Sequence, residues 1–268
     1  MMPWRIAFIG LALSTGAAAA APLSERMQCI RDNLPDRWVA RMSVQAVDVG
    51  GGDTTHTLVY ADRRQPAART VETSVQFLAP ESLRGVAHLY RQRGDDRQQY
   101  SYLPVIGKVR KVTGAAAPAA VLEGVPGLAD LEALWRWPER AAISLGSPGQ
   151  ADGHAVQAVR ANRRVGEGDA AGFERFEGQL DLRTCLITEA RLYAVDGSLR
   201  QSMRVDRRSL QAFGPRWLPR RIDLLRTADG GRAVVTLDAI RIDPSFPDAS
   251  FDPRRFHQAP LAGMLTPR

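Results

Sequence analysis

The 268-residue sequence predicts a mainly β protein built as an antiparallel meander, with one helix at its start and one short helix inserted midway. Three observations carry that expectation. Short runs rich in aromatic and branched residues recur along most of the chain, each bounded by Gly, Pro or Asp turn signals. Only two stretches, 23–33 and 128–137, read as helix. No self-similarity at a period of roughly 20–50 residues marks a repeat array.

In chain order, residues 1–21 combine one cation (Arg5), an apolar run from Ile6 to Leu13 and an Ala-rich end with several A-x-A sites before Pro22. This pattern predicts a secretory signal peptide cleaved near Ala21. Its apolar run falls short of the about 20 residues that span a bilayer. Cys29 lies too far past the Ala tract to be a lipid-modified N-terminus, so residues 22–268 are expected as one soluble periplasmic domain. Two cysteines in an oxidising compartment favour a Cys29–Cys185 disulfide, with two buried free thiols as the alternative.

Strands are expected at 39–49 and 55–63, around the glycine-rich tip Gly50-Gly51-Gly52-Asp53, and at 70–78. That tip lacks the Lys-Ser/Thr and the strand-to-helix setting of a phosphate-binding loop. A hairpin follows, 85–91 and 98–103 about Gly94-Asp95-Asp96, and 108–112 resumes the extended pattern after Pro104 and Gly107. Residues 114–126 have no period. Beyond them Leu128, Leu131, Leu134 and Trp135 share one helical face before Pro138, as either a movable lid or a fixed plug. Strands return at 154–162, 172–182, 185–195, 198–209, 216–227 and 232–242. Leu186, Thr188, Ala190, Leu192 and Ala194 share one strand face, and Ala233, Val235, Leu237 and Ala239 another; small apolar faces of this kind leave space above a sheet.

Catalytic chemistry finds no foothold. Gly146-Ser147-Pro148-Gly149 lacks the upstream glycine of a nucleophile elbow, no H-E-x-x-H occurs, and His56, His88, His154 and His257 lie far apart. Asp95 and Asp96 are adjacent and suit a turn better than a carboxylate pair. The sequence therefore predicts no enzyme, no cofactor and no metal site. The net charge of +7 is nearly all arginine, which suits phosphate and carboxylate partners. In an exported chain these are lipid headgroups or a membrane surface and not nucleic acid; a coding bias toward arginine explains the same composition.

The order of several short motifs resembles the outer-membrane lipoprotein-sorting proteins of the LolA/LolB-like superfamily. These are Phe77-Leu78-x-Pro80, Leu83-Arg84-Gly85, then Tyr102-Leu103-Pro104-x-x-Gly107-Lys108-Val109-Arg110-Lys111, Asp130-Leu131, Leu192-Tyr193-x-x-Asp196-Gly197, Trp217-Leu218-Pro219 and Phe246-Pro247-Asp248. The likeness runs from about Met42 to Phe251. It implies a half-open antiparallel β-barrel with an N-terminal helix and a short lid helix, sheltering lipoprotein acyl chains or another lipid on the way to the outer membrane. On that basis Phe77, Leu89, Tyr102 and Leu192 are expected beneath the lid residues Leu128, Leu131, Leu134 and Trp135. Lys108, Arg110 and Lys111 are expected at the mouth, meeting a headgroup or partner. The expected protein is a monomer, with an inner-membrane transporter or exporter as possible partner. The alternative is a lipid-sensing accessory or regulator acting on such a membrane partner. Two departures weaken lipoprotein sorting in the strict sense: Ala79 stands where the family's carriers place a lid-holding arginine, and Val125-Pro126-Gly127-Leu128 replaces aromatic and acidic residues.

Overall fold

A computed structural model of the chain describes residues 22–47, 52–94, 96–113, 141–163, 174–226 and 230–265. Helix α1 (Leu23–Asn33) opens after the extended Pro22 and stops at Leu34, which precedes Pro35 and is itself extended. Its buried residues, Met27, Ile30 and Asn33, recur at helical spacing and turn one face inward.

Strands follow as β1 (Arg37–Val47), β2 (Asp53–Gln65), β3 (Thr70–Ala79), β4 (Ala87–Arg93), β5 (Asp96–Leu103), β6 (Lys108–Val112), β7 (Ala141–Ala151), β8 (His154–Arg163), β9 (Arg175–Asp181), β10 (Leu186–Tyr193), β11 (Leu199–Val205), β12 (Leu210–Phe213), β13 (Arg216–Pro219), β14 (Arg221–Arg226) and β15 (Arg232–Ile242). Thirteen of them form one antiparallel sheet in the order β6-β5-β4-β3-β2-β1-β15-β14-β11-β10-β9-β8-β7, and β12 pairs with β13 alone. Among the described residues the sheet does not close, and β6 and β7 stand at its two ends. The expected half-open barrel is thus the observed one. It is seamed at its middle where the last strand, β15, lies against the first, with Val44 opposite Val235.

Three local expectations are corrected. Residues 141–151, to which the sequence assigned no strand, form edge strand β7. A register shift between Leu145 and Pro148 absorbs the proline, whose missing N–H matters least at an edge. The single strand expected over 216–227 is two, broken at Arg220, whose N–H instead meets the Ser209 carbonyl at 3.1 Å. Cys185 does not begin a strand but closes the turn before β10 with φ of 56°, its N–H donating to the Asp181 carbonyl at 2.9 Å.

That turn anchors α1. Cys29 and Cys185 are disulfide-bonded across 156 residues, with Cα atoms 5.6 Å apart. One turn further along α1, the Asn33 amide donates to the Trp217 carbonyl at 2.9 Å and accepts from its N–H at 2.7 Å. Beneath the bond, Asp181 accepts from the Thr184 N–H and hydroxyl, the Arg183 N–H and the Arg207 guanidinium. Burial pushes the Asp181 carboxyl up, but these donors outweigh it and hold it below the usual range.

Both faces of the first half are buried. The inner face meets α1, with Met27 and Ile30 in the same apolar cluster as Trp38, Leu58, Phe77 and Val235. The outer face of β1–β5 is covered by the segment after β15: Phe251, Phe256, Ala259 and Leu261 pack on Val39, Val59, Ala61, Ala87 and Leu89. The Gln76 amide pins this segment, donating to the carbonyls of Phe256 (2.8 Å) and Ala259 (3.0 Å). Among the described residues, no helix is long and apolar enough to cross a membrane.

Candidate functional site

Of the two buried apolar clusters among the described residues, the one on the inner face of the sheet is the larger. Because side chains alternate, each cross-strand register carries one row of inward residues over several strands. One row runs through eight neighbours: Ala46, Ala233, Leu224, Met203, Ala190, Gly178, Val159 and Leu145. A second joins Phe77, Leu58, Met42 and Leu237. The rows are rich in alanine, valine, leucine and methionine, and nearly all are buried. At Gly178 a Cβ would come within 2.6 Å of the Phe176 ring, so the missing side chain is what lets that ring lie flat along the face.

Buried polar side chains interrupt this face: His56, Asp62, Thr73 and Gln99 on β2, β3 and β5, and Gln157 and Gln201 on β8 and β11. His56 and His88 flank Phe77, their rings edge-on to it at 6.4 and 6.0 Å between centroids. The Nδ1 atom of each is buried without a hydrogen-bond partner. Burial lowers both pKa values, that of His88 to about 4, so the imidazoles are neutral at ordinary pH. Cross-strand pairing puts Ser101 opposite His88 and Arg110 opposite Ser101. Arg110 and Lys108 therefore share the inward parity at the β6 end of the sheet, and both are exposed.

The expected site residues do not all meet here. Phe77 and Leu192 belong to the inner cluster. Leu89 and Tyr102 do not: Leu89 pairs with Ser74 and Tyr102 with Ala87, positions of outward parity, and both pack against the C-terminal segment. Tyr102 stacks on His257 at 3.9 Å. Lys111, opposite Tyr100, likewise points outward, so the three cations split between faces. The lid residues Leu128, Leu131, Leu134 and Trp135 lie outside the described residues, as does the expected signal peptide. Sequence reasoning missed Trp38, Tyr60, Met42, Phe176 and Met203 on the inner face, and gave His56 and His88 no place in the site. The shared parity of His56, Leu58 and Tyr60 was the available signal. Among the described residues no cluster of three or more His, Cys, Asp or Glu side chains is placed to hold a metal ion.

Solved structures with this architecture are distant in sequence and close in shape. A putative outer-membrane lipoprotein-sorting protein domain from Vibrio parahaemolyticus superposes with a TM-score of 0.70 at 13% identity, covering 85% of this chain and 95% of that one. A DUF1329 family protein from Desulfovibrio piger gives 0.71 at 16%, covering 87% and 98%. A LolA superfamily protein from Nitrosomonas europaea gives 0.61 at 12%, also covering 87% and 98%. No curated protein matches the chain in sequence. A family model described as "Uncharacterized protein" matches residues 69–258, more than half of the chain. The chain belongs to that family, and its fold is the LolA-like half-open barrel.

Proposed function

We propose that the protein is a periplasmic carrier that shelters the acyl chains of a lipoprotein or another lipid against the inner face of its sheet and moves them toward the outer membrane. The observation that carries this reading is the apolar face, running from Phe77 on β3 through the β1–β15 seam to Phe176 and Leu192. An acyl chain gains about 25 cal/mol for each Å² of apolar surface it buries there. That gain is available only if whatever occupies the face can leave it, so the cover must be reversible. In this reading Leu128, Leu131, Leu134 and Trp135 form the movable cover. Lys108 and Arg110, exposed at the inward-facing edge, meet an anionic headgroup, and Lys111 takes no part because it faces the other way.

Replacing Leu131 and Leu134 together with Asp tests the reading. The expected result is weaker binding of a fluorescent fatty acid with the cooperative thermal transition preserved. Loss of the transition would identify the segment as fixed core, since burying unpaired charge costs several kcal/mol, and would count against carriage. Mass spectrometry of lipids that co-purify from the native periplasm would identify the cargo.

A further inference from the structure

On the outer face, at the end of β2–β5 remote from the β5–β6 turn, four strands present a polar pocket of about 250 Å³. Its floor is one register row, Arg63, Glu72, Arg91 and Gln98, followed by a second that holds Arg93 and Asp96. Glu72, with a side chain only 12% exposed, is gripped from both sides: the Arg63 guanidinium donates to one carboxylate oxygen and Arg91 Nε donates to the other at 2.9 Å. Arg63 is held further by the Phe251 ring, 4.5 Å below its Cζ. Asp96 already accepts from the Gln98 amide at 2.9 Å.

We infer that this pocket is a binding site for a phosphate group. Three guanidiniums line it against two carboxylates, and both carboxylates are engaged by neighbours. Among the described residues Arg93 has no ion pair or side-chain hydrogen bond, and of the Arg91 guanidinium only Nε is engaged, by Glu72. Arg91 and Arg93 are two residues apart on one strand and so project from the same face about 7 Å apart, a span that two long side chains close on a single anion. Guanidinium forks match phosphate oxygens in pairs, and Glu72 holds two of the three forks in place before any ligand arrives. The volume is below that of pockets for drug-sized ligands, and no aromatic side chain lines it to stack a base. The ligand is therefore a phosphate carrying a small substituent, of glycerol size. A phospholipid headgroup and a soluble phosphate ester share that chemistry. The site lies on the opposite face from the proposed acyl surface and does not depend on it.

Titration calorimetry of the whole protein with glycerol 3-phosphate at low ionic strength, beside co-sedimentation with phosphatidylglycerol and phosphatidylcholine vesicles, tests the assignment. Saturable ester binding that weakens about tenfold or more in Arg93→Gln is expected, with an unchanged melting temperature, because among the described residues that side chain makes no ion pair or side-chain hydrogen bond. The Arg91→Gln/Arg93→Gln pair should abolish it. Arginine-dependent binding to phosphatidylglycerol vesicles without binding of the soluble ester would assign the site to a headgroup. The inference is overturned if neither probe binds, or if binding is the same in the wild type and in Arg93→Gln.

Discussion

His88 shows how much one side chain's placement decides. A histidine with its Nδ1 buried and unpartnered, edge-on to Phe77, is tolerated only while neutral, and burial takes its pKa down to about 4. In the unfolded chain the value returns to about 6.5. The unfolded state therefore binds the extra proton between these limits, and stability is full above about 6.5 and falls as pH drops toward 4. The loss approaches about 3 kcal/mol by the lower limit. His88→Leu should flatten this part of the pH profile: melting temperatures of wild type and variant between pH 7.5 and 4.5 should diverge as acid is added. Parallel curves would place the imidazole in contact with water. His56, lowered by the same cause, adds in the same direction, so the double variant should be flatter still.

At the scale of elements, α1 depends on what lies far from it in sequence. With eleven residues it is too short to persist alone in water. It is held by two buried apolar side chains, the disulfide to Cys185 and the paired hydrogen bonds of Asn33 with Trp217. Closing a loop of this length stabilises by about 5 kcal/mol in the chain-entropy account. Cys29→Ala/Cys185→Ala should lower the denaturant midpoint correspondingly with little change in slope. A change below about 1 kcal/mol would mean that packing and Asn33 alone keep the helix in place. The helix bounds 23–33 and the strands 108–112 and 232–242 were legible to the residue, because Pro, Gly and Asp punctuate them without ambiguity. Edge strand β7 was not, since Gly and Pro are breakers in a central strand but permissible where one side of the ladder is empty.

Across the whole molecule, the C-terminal segment turns the first half of the sheet into a two-sided layer. Phe256 is fully buried on the face opposite Phe77 and Leu192. Phe256→Ala should cost about 3–5 kcal/mol of stability and leave fatty-acid affinity unchanged when measured below the transition. A fall in affinity as steep as that caused by substitution at Phe77 would show the two faces to be coupled, against the separation drawn here.

The same layering explains what could be read early and what could not. The sequence by itself determined the fold class, the run of strands, the first helix, the cysteine pair and the apolar character of the later strands, where one covered face leaves a clean alternation. It could not determine which parity of β1–β4 faces inward. Trp38, Val39 and Ala40 are all buried, as are Leu58 through Asp62, because α1 and the inner cluster cover one side while residues 246–265 cover the other. With both faces apolar the period-two signal disappears. Leu89 and Tyr102 were therefore as plausible as His88 and Tyr90, and only the register that sets Ser74 opposite Leu89 and Val75 opposite His88 separates them. The pocket of Arg63, Glu72, Arg91 and Arg93 was hidden for a related reason. Its residues come from three strands, and only antiparallel pairing brings distant charges into one row.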